Sequence, residues 1–251
     1  VTAILVVNKS TVVSDDDVRH MTRAVAKQVR HHAAPVWGLM PIPVMFSSTA
    51  TDAAPGTWVI AVLDDSDQAG ALGWHTEDQG DLIYGRVFAK PVLDNGGDAL
   101  TAQLSVASVL SHEVLETMAD PHVNGWYDNG QGTLVAAEVG DPVENDSYLI
   151  GLAGSTNQVT VSNFVTPAWF DPLASTDSQF DWMGNVHAPF TMSPGGYWVE
   201  MSAGKVSQRF GETYPEWRKA SKLADTSRTA RRVPHEVDLG GSVISLASGS
   251  S

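Results

Sequence analysis

The sequence predicts an α+β fold: a mixed sheet with an N-terminal backing helix and a central second helix, followed by a β- and loop-rich C-terminal part. Three observations point there. Apolar, largely β-branched runs of strand length alternate with helix-length segments in the first half. Apolar positions in the two long segments recur at spacings of three and four. From Thr133 onward, short strand-like runs are separated by turn residues.

Ala3 to Val7 is the first strand. After Asn8-Lys9-Ser10, Ser14 is placed to start a helix whose first turn carries Asp15, Asp16 and Asp17, carboxylates that favour the positive end of the helix dipole. Met21, Val25 and Val29 repeat every four residues and make its buried stripe. The helix is expected to run to about His32, with His31 and His32 against its negative end, and to stop at Pro35. Val44-Met45-Phe46, Thr57 to Leu63 and Leu82 to Ala89 read as strands. The turn sequence Asp94-Asn95-Gly96-Gly97 follows, and Asp98 is the expected N-cap of a long helix. Its core side is Leu100, Leu104, Leu110, Val114, Leu115 and Met118, and Pro121 ends it. Thr133 to Glu138, Tyr148 to Leu152 and Gln158 to Asn163 are short strands, and Tyr197 to Met201 with Lys205 to Arg209 form a closing hairpin.

With 251 residues and 43% hydrophobic content the chain can bury a large core. One domain is expected over residues 1–220, its first half ending near residue 145 and its β- and loop-rich half covering 146–220. Residues 221–251 are polar, then basic, then rich in Gly and Ser, and are expected to form an extended C-terminal arm or tail. The net charge of −14 argues against a nucleic-acid partner, since phosphate contacts need clustered cations and only Arg228 to Arg232 is basic. No run of about 20 apolar residues is present, so no membrane span is expected. No basic segment precedes the apolar start, so no signal peptide is expected, and a soluble protein of the cytoplasm or of a virion is the expectation. The chain has no cysteine, which excludes disulfides and thiolate sites and leaves His, Asp, Glu and carbonyl oxygen to hold any metal.

The chemistry concentrates in Ser111-His112-Glu113-Val114-Leu115-Glu116, inside the second helix. Residues four apart share a helix face, so His112 and Glu116 can address one ion, while Glu113 lies about 100° around and can reach a water beside it. The pattern is H-E-x-x-E, one change from the H-E-x-x-H helix that binds zinc in metallopeptidases. Asp141-Pro142-Val143-Glu144-Asn145-Asp146 reads as a solvated acidic turn before a calcium loop, with Glu144 a reserve ligand. His75, His122, His187 and His235 have no spacing that marks them as ligands. Trp126-Tyr127, Trp169-Phe170 and Trp182 fit either a carbohydrate groove or aromatic packing.

Over about residues 55–145 the chain resembles the zincin metallopeptidases. In the glutamate branch of that family a third ligand, Glu, follows the helix by about 20 residues, with an Asp shortly after it. Ala137-Glu138-Val139-Gly140-Asp141 supplies both, Glu138 lying 22 positions after Glu116. The resemblance implies a divalent ion on His112, Glu116 and Glu138, with Asp141 orienting a ligand from behind. It implies Glu113 as general base and then general acid in metal-dependent hydrolysis of a peptide or protein substrate. It also implies an edge strand near Leu82 to Ala89 that holds an extended peptide, and a place for Met192 beneath the ion. The ion implied is Zn2+, but glutamate in place of the second histidine makes the site less selective and admits Ca2+, magnesium or manganese. Tyr84-Gly85-Arg86-Val87-Phe88 and Ala168-Trp169-Phe170-Asp171-Pro172 resemble bacterial and phage proteins of no assigned activity. That likeness implies the alternative of a non-catalytic structural or binding protein, such as a virion component, whose C-terminal arm contacts neighbouring subunits.

Overall fold

The computed structural model describes residues 3–49, 53–68, 70–78, 82–154 and 157–219, and the backbone of Val237–Asp238 and Val243–Ile244, which pair antiparallel. The rest of the expected C-terminal arm lies outside the described residues.

The fold is α+β. Its main sheet has five strands: β1 (Ile4–Asn8), β2 (Val44–Ser47), β3 (Trp58–Leu63), β4 (Gly73–Glu77) and β5 (Ile83–Phe88), in the order β2-β1-β3-β5-β4. β1, β2, β3 and β5 run parallel, and β4 pairs antiparallel with β5. The strand at 83–88 is therefore not the edge expected from sequence. It is buried on both faces and paired on both sides, as a near-continuous apolar strand should be, and β4 is the edge.

Helix α1 (Asp15–Gln28) is capped by Ser14, whose side chain accepts from the Asp17 N–H, and it buries Val18, Met21 and Val25. Pro35 does not stop this helical stretch. A π turn over Val29–Ala33 intervenes, and a short helix, α2 (Ala34–Trp37), carries on to Gly38, which takes the left-handed conformation at φ 63°. In an α-helix the proline ring would press on the carbonyl one turn back. The wider π turn lets the Ala34 N–H reach the Val29 carbonyl instead and relieves that conflict. His32 is not a dipole partner: its Nδ1 lies 2.8 Å from the Tyr148 hydroxyl and its ring stacks on Trp182 at 4.5 Å.

After α3 (Ala89–Asp94) the chain does not enter the long helix at Asp98. The Asp98 carboxylate accepts from the N–H groups of Leu100, Thr101 and Ala102, which holds a turn rather than a helix start. Helix α4 (Val106–Ala119) begins one turn later. Ser105 and Ser108 form a reciprocal capping box, each side chain accepting from the other's N–H. Twelve of its 14 residues are buried, so α4 is an internal helix rather than an amphipathic surface one. It packs on β4 and β5 on one side and on α1 and β9 (Gln158–Ser162) on the other.

The C-terminal part is an antiparallel sheet ordered β11-β10-β7-β6, from β6 (Trp126–Asp128), β7 (Thr133–Ala136), β10 (Tyr197–Ser202) and β11 (Lys205–Phe210), plus the hairpin of β8 (Ser147–Gly151) with β9. Trp169 is fully buried and donates its indole N–H to the Thr191 carbonyl, and Phe170 is buried beside it, so these two belong to the core rather than to a groove. Among the described residues no helix is long and apolar enough to cross a membrane.

A buried polar lock sets the rotation of α4. The Ser111 hydroxyl donates to Gln28 Oε1 at 2.6 Å and accepts from the Ser162 N–H at 2.9 Å, while the Gln28 amide donates to the Ser162 carbonyl at 2.8 Å. One serine thus ties α1, α4 and β9 and points the next residue, His112, away from them. Ser111→Ala leaves Gln28 Oε1 and the Ser162 N–H short of a buried partner and is expected to cost about 1–3 kcal/mol, read as a lower midpoint in chemical denaturation.

Candidate metal centre

Three pieces of chain converge on one buried site. α4 contributes His112, Glu113 and Glu116; β4 contributes His75; and the segment after β7 contributes Glu138, Asp141 and Glu144, with a 3-10 turn at Asp141–Val143. None of His75, His112, Glu113, Glu116, Glu138 and Asp141 is more than 9% exposed.

The first cluster surrounds His112. Its Nε2 lies 3.1 Å from Glu116 Oε1 and 3.3 Å from Asp141 Oδ1, and the Gly140 N–H donates to the same Glu116 oxygen at 3.3 Å. Zinc bonds of about 2.0–2.2 Å in a tetrahedral shell put donors roughly 3–3.5 Å apart, which each of these His112 contacts matches; the donor sets close enough for one ion are His112 with Glu113 and Glu116, and His112 with Asp141 and Glu144. Asp141 thus stands directly at His112, and it is buried rather than part of a solvated turn. Glu144 can join His112 and Asp141, and it also accepts from Arg218 Nη2 at 2.5 Å.

The second cluster surrounds His75, which the spacing of histidines in the sequence does not mark. Its Nε2 lies 3.1 Å from the Asp120 carbonyl. A carbonyl oxygen can only accept, which places a proton on Nε2 and leaves Nδ1 to carry the second proton or, once that is displaced, a lone pair. Nδ1 faces Glu113 Oε2 at 3.6 Å and Glu116 Oε2 at 3.8 Å, and has no hydrogen-bond partner. Glu138 falls in this group, with His75 and Glu116. The signal that could have found His75 is compositional: Asp78-Gln79-Gly80-Asp81, residue types that favour turns, precede the strand-like run at 83–88 and follow Gly73–Glu77 in the sequence. Met192 packs against the main core.

Two glycines allow this convergence. A Cβ at Gly73 would lie 2.6 Å from Glu113 Oε1, and one at Gly140 would overlap the His112 ring, 2.6 Å from its Cε1. Burial sets the protonation. It depresses the His75 pKa, but the facing carboxylates of Glu113, Glu138 and Glu116 outweigh it and raise the group to about 9. Burial likewise depresses His112, and the Glu116 charge and the Asp141 hydrogen bond push it well above the ordinary histidine value. Burial raises Glu116 above the usual carboxylate range; His112 opposes this, and Asp141 and Glu138 add to it.

The site opens to a small cleft of about 60 Å³ lined by Gly73, Trp74, His112, Glu113, Asp141 and Arg218 among others. Buried imidazoles and carboxylates at these distances can hold a metal ion, and they offer nitrogen and oxygen donors alone. No family model, curated protein or solved structure matches the chain.

Two predictions follow from this geometry. Gly140→Ala should displace the His112 ring and weaken retention of an added divalent cation about tenfold or more in competition with a chelator, although no donor is removed. The raised imidazole values mean that protons occupy the donors at neutral pH when no ion is bound. Their contribution to stability in the chelated protein is fully present below pH about 6.5, the unfolded histidine value, and is lost as pH rises through about 9. A cation must displace those protons, so divalent-cation affinity by calorimetry should climb, and proton release fall, from pH 6 towards pH 9.

Proposed function

We propose that this protein is a zincin-like, metal-dependent hydrolase of peptide bonds in which His112 and Glu116 hold a zinc ion, Asp141 stands beside His112 and Glu113 is the general base. The observation that carries this reading is the cleft itself: His112 and Glu113 line it, and Gly73 and Trp74 at the start of the edge strand β4 stand beside them. A site built only to hold an ion gains nothing from such an opening, whereas an extended peptide can lie along the edge strand and bring a carbonyl to the donors.

A divalent ion bound there supplies Lewis acidity, polarising a carbonyl and making a nearby water acidic. The other tasks belong to side chains. Glu113 is 4% exposed at the cleft, one helix position from His112, so its carboxylate can take a proton from the attacking water and return it to the departing amine. His75 faces Glu113 at 3.6 Å and, with Gly73 against its other oxygen, limits the conformations the base can adopt. Ser111 and Gln28 hold the helix that carries the set.

Glu113→Gln keeps the size of the side chain and removes the base. The expected result with a quenched-fluorescence peptide library is a loss of turnover of about 10²–10⁴-fold with zinc content unchanged by plasma mass spectrometry. Undiminished turnover in the variant, or no cleavage of any peptide by zinc-loaded wild type, would sink the proposal.

A further inference from the structure

Beyond a single ion, we propose that the centre holds two divalent cations, with Glu116 as the carboxylate that bridges them. The first position is that of the proposed hydrolase, at His112 and Asp141, and the inference rests on that reading; the second position is at His75 and Glu138.

Glu116 is the residue the two positions share. Its Oε1 is turned to His112 Nε2 at 3.1 Å and its Oε2 to His75 Nδ1 at 3.8 Å, so the two oxygens of one carboxylate face two imidazoles from different elements. A carboxylate presented in this way suits a pair of ions about 3.5–4 Å apart, the spacing of two-metal hydrolytic sites.

His75 provides an independent observation. It is fully buried, its Nδ1 has no hydrogen-bond partner, and its Nε2–H is held by the Asp120 carbonyl. Metal-bound histidines are typically oriented in this manner, one ring nitrogen donating to a backbone carbonyl and the other left to the ion. A histidine serving only to pack would not be expected to aim a buried ring nitrogen without a hydrogen-bond partner at three glutamates, since such an atom is costly.

Charge balance agrees. Glu113, Glu116, Glu138 and Asp141 are four buried carboxylates, and Glu144 already has Arg218. With neutral imidazoles one divalent ion leaves an excess of two negative charges in the interior, while two ions leave none. Glu113 Oε2, at 3.6 Å from His75 Nδ1, then borders the second ion, which would orient the base that the first position requires.

The test is metal stoichiometry and magnetic coupling on the full chain, stripped by chelator and reloaded with Zn2+ or Mn2+. The expected result is two zinc ions per chain by plasma mass spectrometry and an exchange-coupled two-manganese signal in electron paramagnetic resonance. His75→Gln keeps a donor for the Asp120 carbonyl and removes Nδ1, so it should drop to one ion and give an isolated-ion spectrum. One ion in wild type, kept in His75→Gln and lost in His112→Ala, would overturn the second position and leave the single-ion reading standing. An ion kept in His112→Ala but lost in His75→Gln, or no ion in wild type, would overturn both. The wild-type stoichiometry and spectrum decide the matter even if a variant does not fold.

Discussion

The structure is organised around one electrostatic constraint: four carboxylates and two imidazoles sit inside a protein that leaves almost none of their surface to water. An unpaired buried charge costs several kcal/mol, so such a set persists only if protons, cations or fixed dipoles compensate it. The neighbouring elements limit the alternatives. The capping box decides where α4 starts, the Ser111–Gln28–Ser162 lock decides which way it faces, and two glycines admit backbone where any side chain would collide. Each of these features is modest alone. Together they prevent the carboxylates from escaping to solvent by rotating or sliding the helix.

The second half of the chain takes part in this confinement. β9 packs on α4 and supplies Ser162 to the lock; β10 packs on the turn that carries Asp141; and Arg218, from beyond β11, reaches back to Glu144. Gly196, just before β10, approaches the Pro142 carbonyl so closely that no Cβ would fit. The acidic turn at residues 141–146 is thus wedged between the internal helix and the C-terminal sheet, which explains how so polar a sequence comes to be buried.

How much of this was legible in the sequence differs from element to element. α1, β1, β2 and β3, the β8–β9 and β10–β11 hairpins and the helix bearing His112 each carry their own periodicity or turn chemistry, and a local reading finds them. The misplaced start of α4 has a local cause too: Asp98 satisfies both a helix cap and an Asx-type turn, and only the Ser105–Ser108 pair downstream decides between them. β4 is different. Gly-Trp-His-Thr-Glu lacks a β-branched run, and it becomes a strand through pairing with β5, so neither the strand nor its histidine announces itself. The H-E-x-x-E pattern brings His112, Glu113 and Glu116 together because four residues make about one helical turn. The positions of Glu138 and Asp141 depend on how a loop returns across the helix, which a spacing of about 20 residues does not determine.

The wide separation of the donors along the chain bears on synthesis. His75 lies on a strand that needs β5, His112 on a helix that needs β9, Asp141 on a turn pressed by β10, and the Arg218 partner of Glu144 close to the last described residues of the main body. A ribosome delivering the chain from its N-terminus exposes the imidazoles well before the elements that hold them in place. Until then the nascent segment is a flexible string of weak, competing donors, and loop closure must precede tight chelation. Any cation capture at these donors would therefore be a late event in biogenesis, and a chain truncated before β10 would lack the scaffold for it however intact its motif.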